Sequence, residues 1–307
     1  MKAIAYFSNG LGNFVIMMPA FQAVAELTEE KKIDLCLDHA WRDSRRPAVE
    51  EIANRWPVIG KVLSWPKDNV DGEYRYWFYS SHGSKCEIVY KFLQGMKGKI
   101  VAKPNWRSSM VHESEHYMDI ARAMGYSGPV PKVQFPLSDG PVLDLKRPII
   151  GICNGWFRTE EMYWEKKGWP HFERLAPVLR RYFGASIVGI GGAGEIPSGV
   201  ALDADFAGKL TITQTAKVLS QLDLFISTDT GPMHIANILD IPLISMFGPT
   251  LTSKSAPRGK KSTVLMSGLS CSPCQEMGSF FTCQKNLCMD SISVGDVVVT
   301  ARARLNK

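Results

Sequence analysis

Long apolar runs are missing from this chain. No stretch reaches the roughly 18 to 20 consecutive apolar residues that a bilayer-spanning helix needs. The apolar segment Met1 to Phe7 is too short for a signal peptide, and no small-residue cleavage site follows it. The expected location is therefore the cytoplasm. Seven cysteines, an odd number, do not make a secreted disulfide framework. There is no nucleic-acid-binding motif and no array of aromatic and basic residues, which argues against a nucleic-acid partner. A complete dinucleotide fingerprint is also lacking: Gly10 and Gly12 begin one, but its third glycine falls at Val15. Acidic residues are outnumbered, 30 against 36 Lys and Arg, for a formal charge of +6. That excess suits an anionic substrate or peripheral contact with an anionic membrane surface, though most such excess is a solvated face.

What is present is material for two α/β domains. The chain has 307 residues, 45% of them hydrophobic and 21% charged. Lys2 to Ser8 reads as a first buried strand, Asn9 to Asn13 as a glycine-bearing loop, and Phe14 to Leu27 as a helix with Phe14, Met17, Met18, Phe21, Val24 and Leu27 near one face. Ile33 to Leu37, Val62 to Trp65 and Tyr74 to Ser80 read as further strands, Glu87 to Leu93 as a helical piece. The aromatic cluster Tyr74, Tyr76, Trp77, Phe78 and Tyr79 reads as core rather than as a sugar platform. His112 to Gly125 has helical spacing, with Gly125 placed to end the helix. Ser127 to Pro148 is rich in proline and glycine and reads as a linker, so the expected domains are residues 1–140 and 141–307. The second domain opens with a strand, Pro148 to Cys153, and closes with a helix, Val294 to Leu305, expected to pack back across the domain boundary. Between them lie a helix from about His171 to Phe183, a strand Ser186 to Ile190, a loop with Gly191, Gly192, Gly194 and Glu195, and a helix Thr213 to Leu222.

The most informative stretch is Leu224 to Thr250, LFISTDTGPMHIANILDIPLISMFGPT. It reads as a strand ending near Ile226, a polar turn, a helix over Met233 to Leu239 and a second buried strand over Leu243 to Phe247. Thr228, Asp229, Thr230 and Gly231 precede the helix, and Pro232 fits its first turn. A helix start of this kind presents backbone N–H groups and a positive dipole end to an anion. On spacing alone an ordinary strand-to-helix connection is an equal reading.

DTGPMHIA followed by IPLISMFGPT resembles the signature of glycosyltransferase family 9, the ADP-heptose:lipopolysaccharide heptosyltransferases. The resemblance runs along nearly the whole chain and is weaker in the first domain. It implies the GT-B architecture, two Rossmann-like domains facing across a cleft, and an inverting transfer with no metal or other cofactor at the chemical step. The donor implied is a nucleotide-diphosphate sugar resembling ADP-heptose; the acceptor is a glycan or glycolipid hydroxyl. In the family the DTG loop holds the donor diphosphate, which maps to Asp229, Thr230, Gly231 and His234. A K-x-W-P turn supplies a lysine to the phosphates, matched by Lys167 in Lys167, Gly168, Trp169 and Pro170, with Lys166 as a substitute. The glycine-rich loop with an acidic residue maps to Glu195 at the ribose, and the segment facing the adenine maps to Phe206 to Ile212, with Leu210 aligned. The first loop of the family carries a glycine–aspartate pair followed by a helix with an internal proline; here Gly10, Gly12, Asn13 and Pro19 occupy that region.

The departure is Asn13, where the family has its presumed general base. An amide cannot take a proton at neutral pH. Two readings follow: a transferase whose base is elsewhere, with His112, Glu113 and His116 the first candidates and Asp38 with His39 the next, or a nucleotide-sugar-binding protein impaired in catalysis. A solvated helix face is the plainer reading of His112, Glu113 and His116. Finally, Cys271, Cys274, Cys283 and Cys288 place four soft ligands within eighteen residues. They are compatible with a structural zinc or iron site, as some family members hold, or with a loop of reduced or partly disulfide-bonded cysteines.

Overall fold

The computed structural model describes residues 2–38, 46–65, 67–68, 74–80, 99–100, 110–155, 165–275, 283 and 285–305. The helix expected over Glu87 to Leu93, His39, and the side chains of Tyr76, Trp77, Phe78 and Tyr79 lie outside what is described. The chain divides into two compact units, Met1–Pro136 and Leu137–Lys307.

In the first unit β1 (Lys2–Phe7), β2 (Ile33–Asp38), β3 (Ile59–Trp65), β4 (Tyr74–Ser80) and β5 (Lys99–Ile100) form a parallel sheet in the order β3-β2-β1-β4-β5. Parallel pairing buries strands on both faces, and β1 is buried throughout except at Lys2. Among the described residues three helices connect and cover it: α1 (Leu11–Glu26), α2 (Arg46–Arg55) and α3 (Glu113–Ala123). Helix α1 begins at Leu11, three residues before the expected start, because Gly12 and Asn13 join its first turn rather than the loop. Ten of its sixteen residues are buried, so it is a core helix and not the one-sided helix that the spacing suggests. Phe14 stacks edge-on against Phe7 with ring centroids 5.2 Å apart, and Phe21 continues the row toward Trp56. Helices α1 and α3 pack along one another.

In the second unit β6 (Ile149–Cys153), β7 (Ser186–Gly189), β8 (Ala204–Asp205), β9 (Leu224–Thr228), β10 (Leu243–Phe247) and β11 (Ser262–Met266) form a parallel sheet in the order β11-β10-β9-β6-β7-β8. This is the doubly wound dinucleotide-fold order, with its switch point between β6 and β9. Helices α4 (Phe172–Phe183), α5 (Ile212–Leu219), α6 (Gly231–Ile238), α7 (Thr252–Ser255), α8 (Leu287–Asp290) and α9 (Val294–Arg304) complete it. One core layer joins Ile150, Ile152, Leu224, Ile226, Ile244 and Met246 from the sheet to Phe172, Leu175 and Leu179 of α4 and Val297 and Ala301 of α9. Terminal helix α9 packs on α4, β10 and β11 of its own unit; Arg304 ties its end to β11 through Thr263 Oγ1 at 2.7 Å and the Ser262 carbonyl at 2.8 Å. Trp169 is fully buried; its ring N–H donates to the Ile292 carbonyl at 2.9 Å and its backbone N–H to Asn154 Oδ1 at 2.7 Å. That anchor fixes the turn just after Lys167.

Candidate donor and acceptor sites

Strands β6 and β9 lie side by side with Cys153 opposite Ser227, so the loops leaving both emerge together at the carboxyl edge. Thr228 donates its hydroxyl to the Gly155 carbonyl at 3.0 Å, which locks one loop to the other. Gly155 is required there: a Cβ would lie 2.2 Å from Thr230 Cγ2. Thr230, not Asp229, caps α6, its hydroxyl accepting from the Met233 N–H at 3.4 Å, and Gly231 and Pro232 form the first turn.

Asp229 uses its side chain for an ion pair instead. Its Oδ2 accepts from Lys167 Nζ at 2.7 Å, and His234 Nε2 lies 3.8 Å from Oδ1. The buried hydroxyl of Thr250 faces the same carboxylate. Burial alone pushes the Asp229 carboxyl up, but the charges of Lys167 and His234 outweigh it, and the group sits below the ordinary carboxylate range. Lys167, at the end of a short 3-10 turn over Glu165–Lys167, keeps 19% of its side chain exposed, enough to present donors to a ligand. Beside this turn a cavity of about 430 Å³ is lined by Asn154, Gly168, Trp169 and Asn286.

Glu195 lies in the loop after β7. Its Oε2 accepts from the Gly192 N–H at 2.7 Å and lies 3.8 Å from Cys153 Sγ. Burial raises its pKa above the ordinary value, partly offset by that N–H and by the thiol. Leu210 is half-buried in the loop after β8, and the Gly208 N–H donates to the Gly191 carbonyl at 2.9 Å, which ties its loop to that of Glu195. Asp229, Thr230, Gly231, His234 and Lys167 therefore converge on one point, with Glu195 and Leu210 on adjoining loops. Thr250 and Gly155 belong to this constellation without being singled out in the sequence; Thr250 is the last residue of the FGPT strand end, and that was its only signal.

In the first unit Gly10 is the N-cap of α1, with no side-chain cap and no acid in the first turn. Asn13, half-buried, donates from Nδ2 to Glu113 Oε2 at 2.7 Å. Glu113 is the first residue of α3 and is 4% exposed; His112 and His116 are 7% and 1% exposed. This overturns the solvated-face reading: α3 turns these residues inward because α1 covers that side. His112 is the N-cap, its Nδ1 accepting from the Ser114 N–H. Asp38 is buried at the end of β2 beside Tyr6, whose phenol is pushed up by burial and by that carboxylate. The sequence-picked acceptor residues thus divide. Asn13 and Glu113 meet; His112 is engaged in capping, and Asp38 lies against Tyr6.

Cys274 and Cys288 are buried, Cys283 is half-buried and Cys271 exposed, and all four are free thiols. Burial raises the thiols of Cys274 and Cys288, and each is raised further by the other cysteines of the segment, so the four share one neighbourhood. Among the described residues no three His, Cys, Asp or Glu side chains are arranged to hold a metal ion. The segment docks on the loop after β10: Ser272 Oγ donates to the Gly248 carbonyl at 2.7 Å, and the N–H groups of Cys274 and Gln275 donate to the Pro249 carbonyl at 3.1 and 2.9 Å. Contact is so close that a Cβ on Gly248 would fall 2.8 Å from Cys288 Sγ.

Comparison with known proteins agrees with this layout. Residues 114–285 match the profile of glycosyltransferase family 9 (heptosyltransferase). Lipooligosaccharide heptosyltransferase 2 of Haemophilus influenzae is 28% identical over 133 residues, 39% of this chain and 37% of that protein. The matched stretch thus spans little over a third of the relative's length. Among solved structures, E. coli ADP-heptose lps heptosyltransferase II superimposes with a TM-score of 0.71 at 17% identity, over 100% of this chain and 99% of the other. The dodecameric iron-containing heptosyltransferase TibC of enterotoxigenic E. coli, solved in complex with ADP-D-beta-D-heptose, gives 0.66 at 15% identity over 99% of this chain and 76% of the other. At such identities the superpositions carry the fold, two Rossmann-type sheets in the GT-B class. The profile covers more than half of the chain, including the Lys167 turn and the Asp229 loop, and on that ground the chain belongs to glycosyltransferase family 9, the heptosyltransferase family.

Proposed function

We propose that this protein transfers a heptose-like sugar, with inversion, from a nucleotide-diphosphate donor resembling ADP-heptose to a hydroxyl of the lipopolysaccharide core or another glycan. The observation that carries the reading is the Lys167–Asp229–His234 cluster at the start of α6, at the switch point of the second sheet. Asp229 holds Lys167 and His234 in place; backbone N–H groups at Thr230 and Gly231, with the Lys167 ammonium, offset the diphosphate charge that grows as the glycosidic bond breaks. Protein cations do this work, so no metal is assigned to the chemical step. Glu195 receives the ribose hydroxyls and the backbone near Leu210 faces the adenine. Gly10, Gly12 and Asn13 border the acceptor. ADP-heptose is named because solved family structures contain it, TibC among them.

The test is a thermal-shift panel of ADP-, GDP-, UDP- and dTDP-sugars, since a ligand bound only to the folded state raises its melting temperature. A selective shift with ADP-heptose, and ADP release from it in the presence of lipopolysaccharide from a heptose-deficient strain, are expected. No shift with any nucleotide sugar would overturn the reading. Work at the cytoplasmic face of an anionic membrane is part of the same proposal, resting on the net charge of +6 and on the acceptor's class. Among the described residues no helix is long and apolar enough to cross a membrane.

The four cysteines are assigned a structural role. Their soft donor set fits zinc or iron, and TibC is an iron-containing neighbour in fold; closing on an ion requires the thiols to draw together from their described positions. About one zinc or iron per chain is expected by elemental analysis of protein purified without chelator, with Cys271→Ser lowering thermal stability. Metal-free protein whose stability is unchanged by Cys271→Ser would leave only a thiol loop.

A further inference from the structure

We infer that Glu113 is the general base for the acceptor hydroxyl and that Asn13 is its positioning residue; this rests on the transferase reading above. Both side chains stand at the carboxyl edge of the first sheet, where the loop after central strand β1 runs into α1 and where open α/β sheets take their ligands. Asn13 Nδ2 donates to Glu113 Oε2 at 2.7 Å across a sequence separation of one hundred residues. An amide donates through nitrogen and has no basic site for a proton, whereas a carboxylate accepts at both oxygens. The pair therefore has a direction: Asn13 fixes one oxygen of Glu113, and the carboxylate is the group able to remove a proton. Glu113 is 4% exposed, which restricts its rotamers. Two of the alternatives are engaged otherwise, His112 as the cap of α3 and Asp38 against Tyr6.

In the step itself the acceptor oxygen forms its bond to the anomeric carbon as the bond from that carbon to the diphosphate oxygen breaks. The bonding pair leaves with the nucleoside diphosphate, and the acceptor proton ends on Glu113.

The experiment measures turnover of ADP-heptose with lipopolysaccharide from a heptose-deficient strain, alongside the thermal shift given by ADP. Glu113→Gln should lower kcat by about 10²- to 10⁴-fold with the ADP shift kept. Asn13→Asp combined with Glu113→Gln moves the carboxylate across the same hydrogen bond and should recover at least about tenfold over Glu113→Gln alone, a rescue that a structural role does not produce. Should Glu113→Gln fail to fold, Glu113→Asp keeps the charge, withdraws it by one methylene, and should lower kcat at least about tenfold with donor KM unchanged. Wild-type turnover in Glu113→Gln or Glu113→Asp, with ADP still bound, overturns the base assignment and leaves the donor site standing. Wild-type protein that neither binds ADP nor turns over overturns the donor reading, and the base assignment with it.

Discussion

Two carboxylates stand at the carboxyl edges of the two sheets, and their partners are opposite in kind. Asp229 is met by cations, Lys167 at 2.7 Å and His234 at 3.8 Å. Glu113 is met by a neutral amide, Asn13 at 2.7 Å. A carboxylate bound to an ammonium is stabilised in its charged form and makes a poor proton acceptor. It makes a good strut, because it pins the lysine that a diphosphate needs. A carboxylate that accepts from an amide is oriented by a neutral donor. The same functional group is thus assigned to holding on one unit and to chemistry on the other, and the neighbours rather than the residue type decide which.

The largest effect expected from breaking this contrast is at Asp229. Removing one partner of a buried pair leaves the other charge uncompensated, so Asp229→Ala should destabilise the protein by about 3 to 5 kcal/mol, read from denaturant midpoints. Glu113→Gln, which keeps the shape and one oxygen able to accept from Asn13 Nδ2, should cost far less stability while losing turnover. Equal destabilisation of the two would dissolve the contrast. The pH dependence has a definite sign. The Asp229 carboxyl is lowered from its ordinary value of 3.8 in the folded protein, so the unfolded chain binds the proton more readily. The stabilisation is complete above that ordinary value and is lost as pH falls through the lower, folded one. Asp229→Asn should flatten the acid limb of a stability-against-pH curve; an unchanged limb would mean that other carboxylates govern it.

Next in size is Lys167→Ala. The charge-assisted contact it removes is worth about 1.5 to 3 kcal/mol, so ADP-sugar affinity should fall at least about tenfold, by calorimetry on folded protein. Unchanged affinity would move the phosphate site, with Lys166 the first alternative.

These two arms were not equally legible in the sequence. Around Asp229 everything is local: an apolar run, a Thr-Gly-Pro helix start and a second apolar run within twenty-seven residues, so strand, helix and anion site follow from short-range rules. Lys167 is sixty-two residues away, yet its turn carries its own pattern, with Trp169 as the anchor. Glu113 had no such pattern. Its burial is set by α1, a hundred residues earlier, and a charged, amphipathic-looking segment reads as solvated until its cover is known. The start of α1 was misread because Gly12 and Asn13 favour loops intrinsically, and packing of a nearly all-buried helix overrode that preference. Helix α2 and strand β11 carry little signal in the sequence. Pro47 near the start of α2 fits a first turn, but three of its ten residues being buried leaves only a faint apolar stripe.

The smallest effect concerns how the two helix starts are finished. On the donor side α6 is capped by a side chain, Thr230 Oγ1 accepting from the Met233 N–H at 3.4 Å with Ser227 Oγ 3.1 Å away. On the acceptor side α1 starts at Gly10 with φ −67° and ψ 162°, an extended conformation open to any L residue, and no side chain caps it. Thr230→Ala should therefore cost about 1 kcal/mol, and Thr230→Ser much less, because the hydroxyl is what satisfies the helix N–H. Gly10→Ser should change stability by no more than a few tenths of a kcal/mol, since glycine is already a tolerable cap. The two sites differ for a physical reason. On the proposed function, a diphosphate would bring several acceptors to α6 and leave room for a capping hydroxyl beside it. A neutral acceptor sugar would have to approach Glu113 closely, and a bare glycine at the start of α1 would keep that approach open. Gly10→Ser should accordingly raise KM for the acceptor while leaving the ADP thermal shift unchanged. An unaltered acceptor KM would place the sugar's path elsewhere along the sheet edge.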